Sequence, residues 1–267
     1  DVIMPDGRTL QVASVHHYRD QWARAFDVTY EDSSGERQFV HQTTYGMSER
    51  LLGAIVASHG DDRGLIMPPA VAPIQVVVIP ILSKQGSEEV MSKAEGIVSS
   101  LKSSGIRTKL DSRDIRPGQK YYDWEIKGVP LRIEIGPRDL ANNSVMCAKR
   151  TGEKTSQSLD NLVETVQNQL ESIGDEMMSN SLQHFNSHIQ KLPSFTVDGD
   201  NLIFEESIQT DIVYEFAFAG NDAEAEMIEK STGLSFLGDS TKLYDKEHPC
   251  VITGAMTNRK IYLAKAY

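Results

Sequence analysis

Apolar residues are thinly spread among polar ones along 9–17 (TLQVASVHH) and 36–45 (ERQFVHQTTY), and both stretches read as strands. Between them, the stretch 18–26 (YRDQWARAF) sets Trp22 and Phe26 four apart, the spacing of neighbours on a helix. A turn signal from Asp32 to Gly35 predicts a hairpin. Over 47–59 the period changes. Leu51, Leu52, Ile55 and Val56 fall on one helical face, and Gly53 leaves room for close packing. This part reads as an antiparallel sheet with a packed helix.

The run PPAVAP at 68–73 is a stiff linker and marks a boundary. Beyond it, 74–82 (IQVVVIPIL) is almost continuously apolar, as a strand buried on both faces requires. A helix over 87–105 closes at Gly105, and a strand follows at 106–111. A short helix at 116–128 has Pro117 near its start and Gly128 at its end. At 129–136, Val129, Leu131, Ile133 and Ile135 share one face, with Arg132 and Glu134 on the other. Residues 144–150 read as a further strand. Strands alternating with helices predict an α/β domain with a largely parallel sheet. A long helix is expected from near Ser156, where Leu159, Leu162, Val163, Val166, Leu170 and Ile173 keep helical spacing. After Pro193, short strands at 201–207, 210–218 and 259–267 surround a helix at 222–233. The fold class is multidomain, part α/β and part α+β, with segments 1–70, 71–155, a connecting helix 156–193, and 194–267.

Composition adds restraint. At 39% hydrophobic and 24% charged over 267 residues, the chain reads as an ordinary soluble globular protein. It has no apolar run of membrane-spanning length and no basic-then-apolar leader, so a cytoplasmic location is expected. Its two cysteines, Cys147 and Cys250, fit a reducing compartment. The first residue is Asp1 rather than Met, which raises the expectation of a fragment. A net charge of −11 argues against a nucleic-acid partner until it is resolved along the chain. Residues 107–154 carry 11 basic and 7 acidic groups, whereas 155–267 carry 7 and 18. Only the middle segment has the charge to follow a phosphate backbone, the alternative being a solvated surface.

Residues 43–73 put a Gly-Met-Ser-Glu-Arg turn before an apolar helix, then Asp61 and Asp62, then a Pro-flanked exit. This segment resembles the third signature motif of class II aminoacyl-tRNA synthetases. More narrowly, it resembles the archaeal and eukaryotic type of prolyl-tRNA synthetase. The phrase RPGQKYYDWEIKGVPLRIEIGPRDL at 116–140 looks like the family's anticodon-domain phrase, and the closing AKAY is similar to its C-terminus. At 10–16, Leu10, Gln11, Val12, Ala13, Ser14, Val15 and His16 stand where the family has a run like LQ-x-G-T-S-H.

The resemblance implies a proline–tRNA ligase. Such an enzyme activates proline with ATP and Mg²⁺, then transfers it from prolyl-adenylate to proline tRNA. It implies three parts: the end of an antiparallel class II catalytic domain, an α/β anticodon-binding domain, and a small α+β C-terminal domain of zinc-site ancestry. It also implies an upstream catalytic half with the first two motifs, a homodimer, and no membrane partner. This chain alone is then expected to be inactive. The alternative is a non-catalytic tRNA-binding or regulatory module derived from such a synthetase, although Arg50, Gln11 and His16 favour the enzyme.

The same resemblance implies roles for residues. Arg50 would be catalytic, its planar fork gripping the γ-phosphate of ATP. The other reading is a helix-surface arginine paired to Glu49 or Asp61. Gln11, Ser14 and Gly46 would join Arg50 around ATP and the adenylate, and His16 and Thr44 would line the proline pocket. His16 would serve as a hydrogen-bonding wall rather than a base, or be a satisfied core histidine. Ser14, Val15, Arg19, Thr44 and Tyr45 depart from the family pattern, which puts the proline pocket in question. Glu125, Arg132 and Arg138 align with anticodon readers, since arginine can donate twice to guanine and a carboxylate can accept from its Watson–Crick edge. Arg132 could instead serve a neighbouring ion pair. Trp124, Tyr121 and Tyr122 could stack on bases or pack in the core. Cys250 lacks a ligand set, with Thr253 at its expected partner position, so no zinc and no other protein-bound metal is expected. His184 and His188, four apart, read as a solvated helix face. Asp61 and Asp62 could hold Mg²⁺ or merely solvate a loop. Tyr267, matching a family C-terminal tyrosine, is expected close to the catalytic sheet.

Overall fold

The computed structural model describes residues 1–82 and 87–267. The chain divides into two compact units, Asp1–Ala54 with Phe185–Tyr267, and Ile55–His184.

In the first unit, β1 (Val2–Ile3) pairs antiparallel with β2 (Thr9–Leu10). The strand expected over 9–17 breaks at Gln11 and Val12 and resumes as β3 (Ala13–Arg19). The helix expected over 18–26 shrinks to α1 (Gln21–Ala25), whose N-cap Asp20 makes no side-chain cap bond. β4 (Thr29–Glu31) and β5 (Arg37–Phe39) form the expected hairpin. The Asp32 carboxylate holds its turn by accepting the backbone N–H groups of Ser34 and Glu36. β6 (Gln42–Met47) pairs antiparallel with β3, setting Ser14 opposite Gly46 and His16 opposite Thr44.

The packed helix is not found. In α2 (Arg50–His59) only Ala54 is buried, while Leu51, Leu52 and Val56 are exposed. β3 and β6 make a two-stranded ribbon, which offers no layer wide enough to cover a helix.

In the second unit β7 (Val76–Pro80) is buried throughout, as its apolar run predicts. It leads through α3 (Ser87–Ser103) to β8 (Thr108–Leu110), then through α4 (Pro117–Ile126) to β9 (Leu131–Ile135). β8 and β9 flank β7, both parallel to it. α5 (Pro137–Ala141) precedes β10 (Ser144–Lys149) and β11 (Lys154–Ser158). These two strands pair antiparallel, completing the order β11-β10-β9-β7-β8. The sheet is therefore mixed rather than largely parallel, because its last strands return without the long helical crossovers that parallel pairing needs. β11 takes Ser156, Gln157 and Ser158 from the expected long helix: Thr155 and Gln157 alternate with more exposed neighbours and pair with β10. The helix α6 (Leu162–Ser187) starts at Leu162, not near Ser156.

The sheet separates two apolar clusters. Val76, Val78, Leu131, Ile133 and Ile135 pack with residues of α3 and α6. Val77 and Ile79 pack with Trp124 and Val129 on the α4 side. Val129, expected beside Leu131, precedes the strand and joins the opposite cluster.

The remainder of the first unit comprises β12 (Ile189–Lys191), β13 (Phe195–Asp198), β14 (Asn201–Phe204), β15 (Val213–Ala217), α7 (Asp222–Thr232), β16 (Ser235–Asp239), β17 (His248–Pro249), β18 (Met256–Thr257) and β19 (Lys260–Ala264). β14, β15, β19 and α7 realise the expected elements in shorter form, and the other strands were not evident from periodicity. Asn221 starts α7 by accepting the N–H groups of Ala223 and Glu224. Tyr214, Phe216, Ile261 and Leu263 form the core of the sheet β12-β15-β19-β16. The chain end lies along β2. Thr9 N–H donates to the Lys265 carbonyl (2.9 Å), and Tyr267 N–H donates to the Thr9 carbonyl (3.1 Å). The Tyr267 hydroxyl donates to Asp6 at 2.8 Å, and the Arg8 guanidinium sits 3.9 Å over its ring.

Arg19 ends β3 at a register shift with φ of 50°, a left-handed conformation in which a Cβ is strained. Arg19→Gly should raise stability by a net of about 0.5–1 kcal/mol, after the entropic cost of glycine is deducted. Chemical denaturation of the two proteins would measure this, and an unchanged or lower midpoint would show that the strain is compensated.

Candidate functional site

Alternate residues of a strand share a face. On one face of the β3–β6 ribbon stand Ser14, His16 and Tyr18, with Thr44 and Gly46. Two hollows lie along it. Gln11, Ser14, Gly46, Ser48 and Arg50 line one. Tyr18, Trp22, Phe26, Gln42 and Thr44 line the other. The four residues expected around a nucleotide thus share one hollow, and Thr44 stands in the next. His16 faces Thr44 between the two and stacks on Tyr18 with 5.5 Å between ring centroids. It is exposed, so it is not a satisfied core histidine. Arg50 is also exposed. Its alternative partner Asp61 is engaged by Arg63 and Arg150. A Cβ on Gly46 would meet nothing within 4 Å, which leaves the hollow open above it.

The second unit forms a different site. Val77, Arg132, Ala148 and Lys154 align as one row across β7, β9, β10 and β11. The small Ala148 side chain makes a floor. Trp124 and Glu125 from α4, Lys149, and Arg63 and Arg150 complete the lining. Glu134, also on β9, is buried and accepts hydrogen bonds from Lys154 Nζ (2.9 Å), Arg132 Nε (3.0 Å) and the Tyr121 hydroxyl (2.9 Å). Burial pushes its carboxyl up, but these donors outweigh burial and hold it below the ordinary value. Arg132 therefore does serve a neighbouring ion pair. Its guanidinium also lies 4.2 Å over the Tyr121 ring. Among the described residues its two Nη groups make no hydrogen bond.

Three expectations change here. Trp124 is buried and its indole N–H donates to Asp111 at 2.7 Å, so it is a core residue rather than a stacking platform. Arg132 covers the Tyr121 ring, and Tyr122, although exposed, does not line the hollow. Arg138 lies exposed on α5, outside the hollow that holds Glu125 and Arg132. Lys154, Arg63 and Arg150 were not singled out from the sequence. Lys154 has no periodic signal, because β11 carries no apolar residue that would mark it as a strand.

No group of three or more His, Cys, Asp or Glu among the described residues could hold a metal ion. Asp61 is bound by Arg150 and Arg63, which holds its carboxyl well below the usual range, so an ion-pair role replaces the Mg²⁺ reading. The Cys250 sulfur accepts the Ala219 N–H at 3.2 Å. Burial raises its thiol, but hydrogen bonds from Thr253 and backbone N–H groups reverse the direction. α6 ends at Ser187, so His188 does not share a helix face with His184. No helix among the described residues is long and apolar enough to cross a membrane.

Residues 75–169 match the family described as Anticodon binding domain. A proline–tRNA ligase of Methanocorpusculum labreanum is 44% identical over 95% of this chain and 52% of its own length. One of Thermococcus kodakarensis is 47% identical over 77% of this chain and 43% of its own length. One of Methanosarcina mazei is 40% identical over 100% of this chain and 55% of its own. The chain spans about half the length of the curated relatives it matches.

Asp111 anchors α4 beneath the second site. It is 3% exposed and pairs with Arg113 at 2.7 Å, besides accepting from Trp124. Burial pushes its carboxyl up, while Arg113 and Trp124 pull it down to about 2. A carboxyl held below its unfolded value stabilises the fold above that value and loses this as pH falls through the folded value. Its contribution of about 2 kcal/mol should therefore be complete above about pH 4 and fade towards pH 2. Asp111→Asn should lower stability at pH 7 and flatten this acid limb. Urea titrations across that range would show the flattening, and an acid limb of unchanged slope would count against it.

Proposed function

We propose that this chain, a relative of proline–tRNA ligases along its whole length, is the C-terminal part of such an enzyme. It would supply one side of the ATP site and a reader of the tRNA anticodon. The observation that carries the reading is the hollow gathering Gln11, Ser14, Gly46 and Arg50, with a second hollow further along the same ribbon.

A guanidinium is charged at any working pH and can hold phosphate oxygens with two parallel bonds. Arg50 would grip the γ-phosphate while the proline carboxylate attacks the α-phosphate and pyrophosphate departs. Charge developing on the phosphates would then meet a preorganised cation. Gln11 would bond polar atoms of the adenylate. The open space over Gly46 would let the nucleotide approach the backbone. The aromatic hollow of Tyr18, Trp22 and Phe26 would take the apolar proline ring, with His16 and Thr44 offering hydrogen bonds at its edge. No general base is required, because the proline carboxylate is already a nucleophile. ATP chemistry of this class uses Mg²⁺, and no residue of this chain is assigned to it.

In the second unit Arg132 would donate to O6 and N7 of an anticodon guanine, and Glu125 would accept from a guanine Watson–Crick edge. Arg138 is kept as an anticodon contact at a separate position, and Lys154 adds charge beside Arg132. A binding-only role for this chain by itself is favoured by one feature. Every residue of β6 is exposed, so the ribbon does not by itself enclose a substrate. A homodimer in the cytoplasm rests on the family resemblance rather than on this geometry.

Joined to an upstream catalytic half, the chain should support proline-dependent exchange of pyrophosphate into ATP. There Arg50→Ala should cost about 3 kcal/mol of transition-state stabilisation, the usual size of one electrostatic donor. Undiminished exchange in that variant would remove Arg50 from the site. For the anticodon, Arg132→Ala should weaken binding of a proline tRNA stem-loop by about 1–3 kcal/mol and relax the preference for guanine. A variant that binds guanine-containing and guanine-free loops as the wild type does would leave Arg132 with a structural role only.

A further inference from the structure

The loop at 61–64 carries the acidic pair that neither site above uses, and its contacts converge on one residue. Arg63 Nη1 donates to Glu125 Oε1 at 2.8 Å. Arg150 Nε donates to the Glu125 backbone carbonyl at 3.1 Å. Both arginines are held by Asp61, Arg150 through Nη1 (3.0 Å) and Nη2 (2.5 Å), and Arg63 through Nη2 (3.3 Å). The Arg150 side chain is only 2% exposed, so it cannot serve a ligand directly.

The loop is also laid against the end of α4 without slack. Leu65 N–H donates to the Ile126 carbonyl (3.0 Å), and Met67 N–H donates to the Gly128 carbonyl (3.1 Å). Gly64, at φ 128°, comes so close that a Cβ would lie 2.5 Å from Ile126 Cα. Gly128, at φ 68°, meets Leu65 in the same way at 2.6 Å. Only glycine tolerates both the conformation and the approach.

We infer that the 61–64 loop is a positioning device for Glu125, in which Asp61 fixes two arms: Arg63 aims the carboxylate and Arg150 holds the backbone beneath it. The inference rests on the proposed reading of Glu125 as a guanine acceptor. A glutamate has three rotatable side-chain bonds, and recognition needs the carboxylate aimed before the base arrives. Each carboxylate oxygen offers two acceptor sites. The Arg63 bond therefore leaves room for guanine N1–H and N2–H. Among the described residues Oε2 of Glu125 accepts no hydrogen bond. Arg63 itself is half exposed, and an exposed ion pair adds little to stability. Its effect should lie in the geometry of reading, not in folding.

Inosine lacks only the N2 amino group of guanine and so isolates one hydrogen bond. The full chain is titrated with synthetic anticodon stem-loops carrying guanine or inosine at single positions. The wild type should prefer guanine at one position about tenfold, the size of one hydrogen bond to a charged group. Arg63→Met should bring that ratio close to one with its melting temperature unchanged, and Arg63→Lys should restore part of it. Loss of the positive charge weakens both loops alike and cancels in the ratio. Asp61→Asn should lower the ratio as well. An Arg63→Met variant that keeps the wild-type ratio overturns the positioning role while leaving Glu125 as the reader. A wild type that does not separate the two loops at any position overturns the reading of Glu125 itself, and the inference with it.

Discussion

The burial of β7 on both faces is the constraint from which the second unit follows. Val76, Val77, Val78 and Ile79 have no solvent exposure, and each fully buried side chain of this size contributes about 1.5–3 kcal/mol. A strand buried in this way needs partners on both edges and cover on both sides. β8 and β9 supply the edges. α3 and α6 close one side with a large cluster, whereas α4 closes the other only in part. The uncovered remainder is the row of Arg132, Ala148 and Lys154. The polar hollow is what remains of a sheet face whose other part is dry core.

That origin explains the electrostatics. Glu134 sits at the border of the dry cluster, where a lone carboxylate would be expensive, and three donors surround it. Arg132 and Lys154 are thereby held in place before any ligand arrives. The same economy operates at the 61–64 loop, where one aspartate fixes both a buried and an exposed arginine. In the first unit the rule is different. The β3–β6 ribbon has no comparable cover: strand register sets Ser14 and His16 against Gly46 and Thr44, while Gln11 and Arg50 flank it from the break before β3 and the start of α2.

The sequence was most legible where one period ran undisturbed. The run at 74–82 announced a doubly buried strand, and Leu131, Ile133 and Ile135 did lie together. It was least legible where a short element borrowed a neighbour's pattern. β11 has too few apolar residues to register as a strand, so its second half reads as the start of the long helix and nothing in the pattern places Lys154 on a sheet. The helical face of Leu51, Leu52 and Val56 is apolar, as its spacing predicts, but exposed in this structure, because periodicity reports a face and not what covers it. The gathering of Gln11, Ser14, Gly46 and Arg50 followed from motif resemblance. Spacing alone could not have joined two strands whose pairing depends on a hairpin between them. The convergence of Asp61, Arg63 and Arg150 on Glu125 joins residues far apart in the chain, and no local pattern encodes it.

The two cysteines offer a consequence of another kind. Cys147 lies in the α3–α6 cluster, where burial pushes its thiol up to about 12, and Cys250 lies in the core of the other unit. Neither thiol is accessible while its own cluster is closed. A thiol-reactive reagent must therefore wait for local opening, and the wait reports the free energy of that opening. With one buried thiol in each unit and no other cysteine in the chain, the protein carries two separate clocks. Their rates would tell, without any added label, whether a bound RNA or nucleotide slows the breathing of one unit, of the other, or of both.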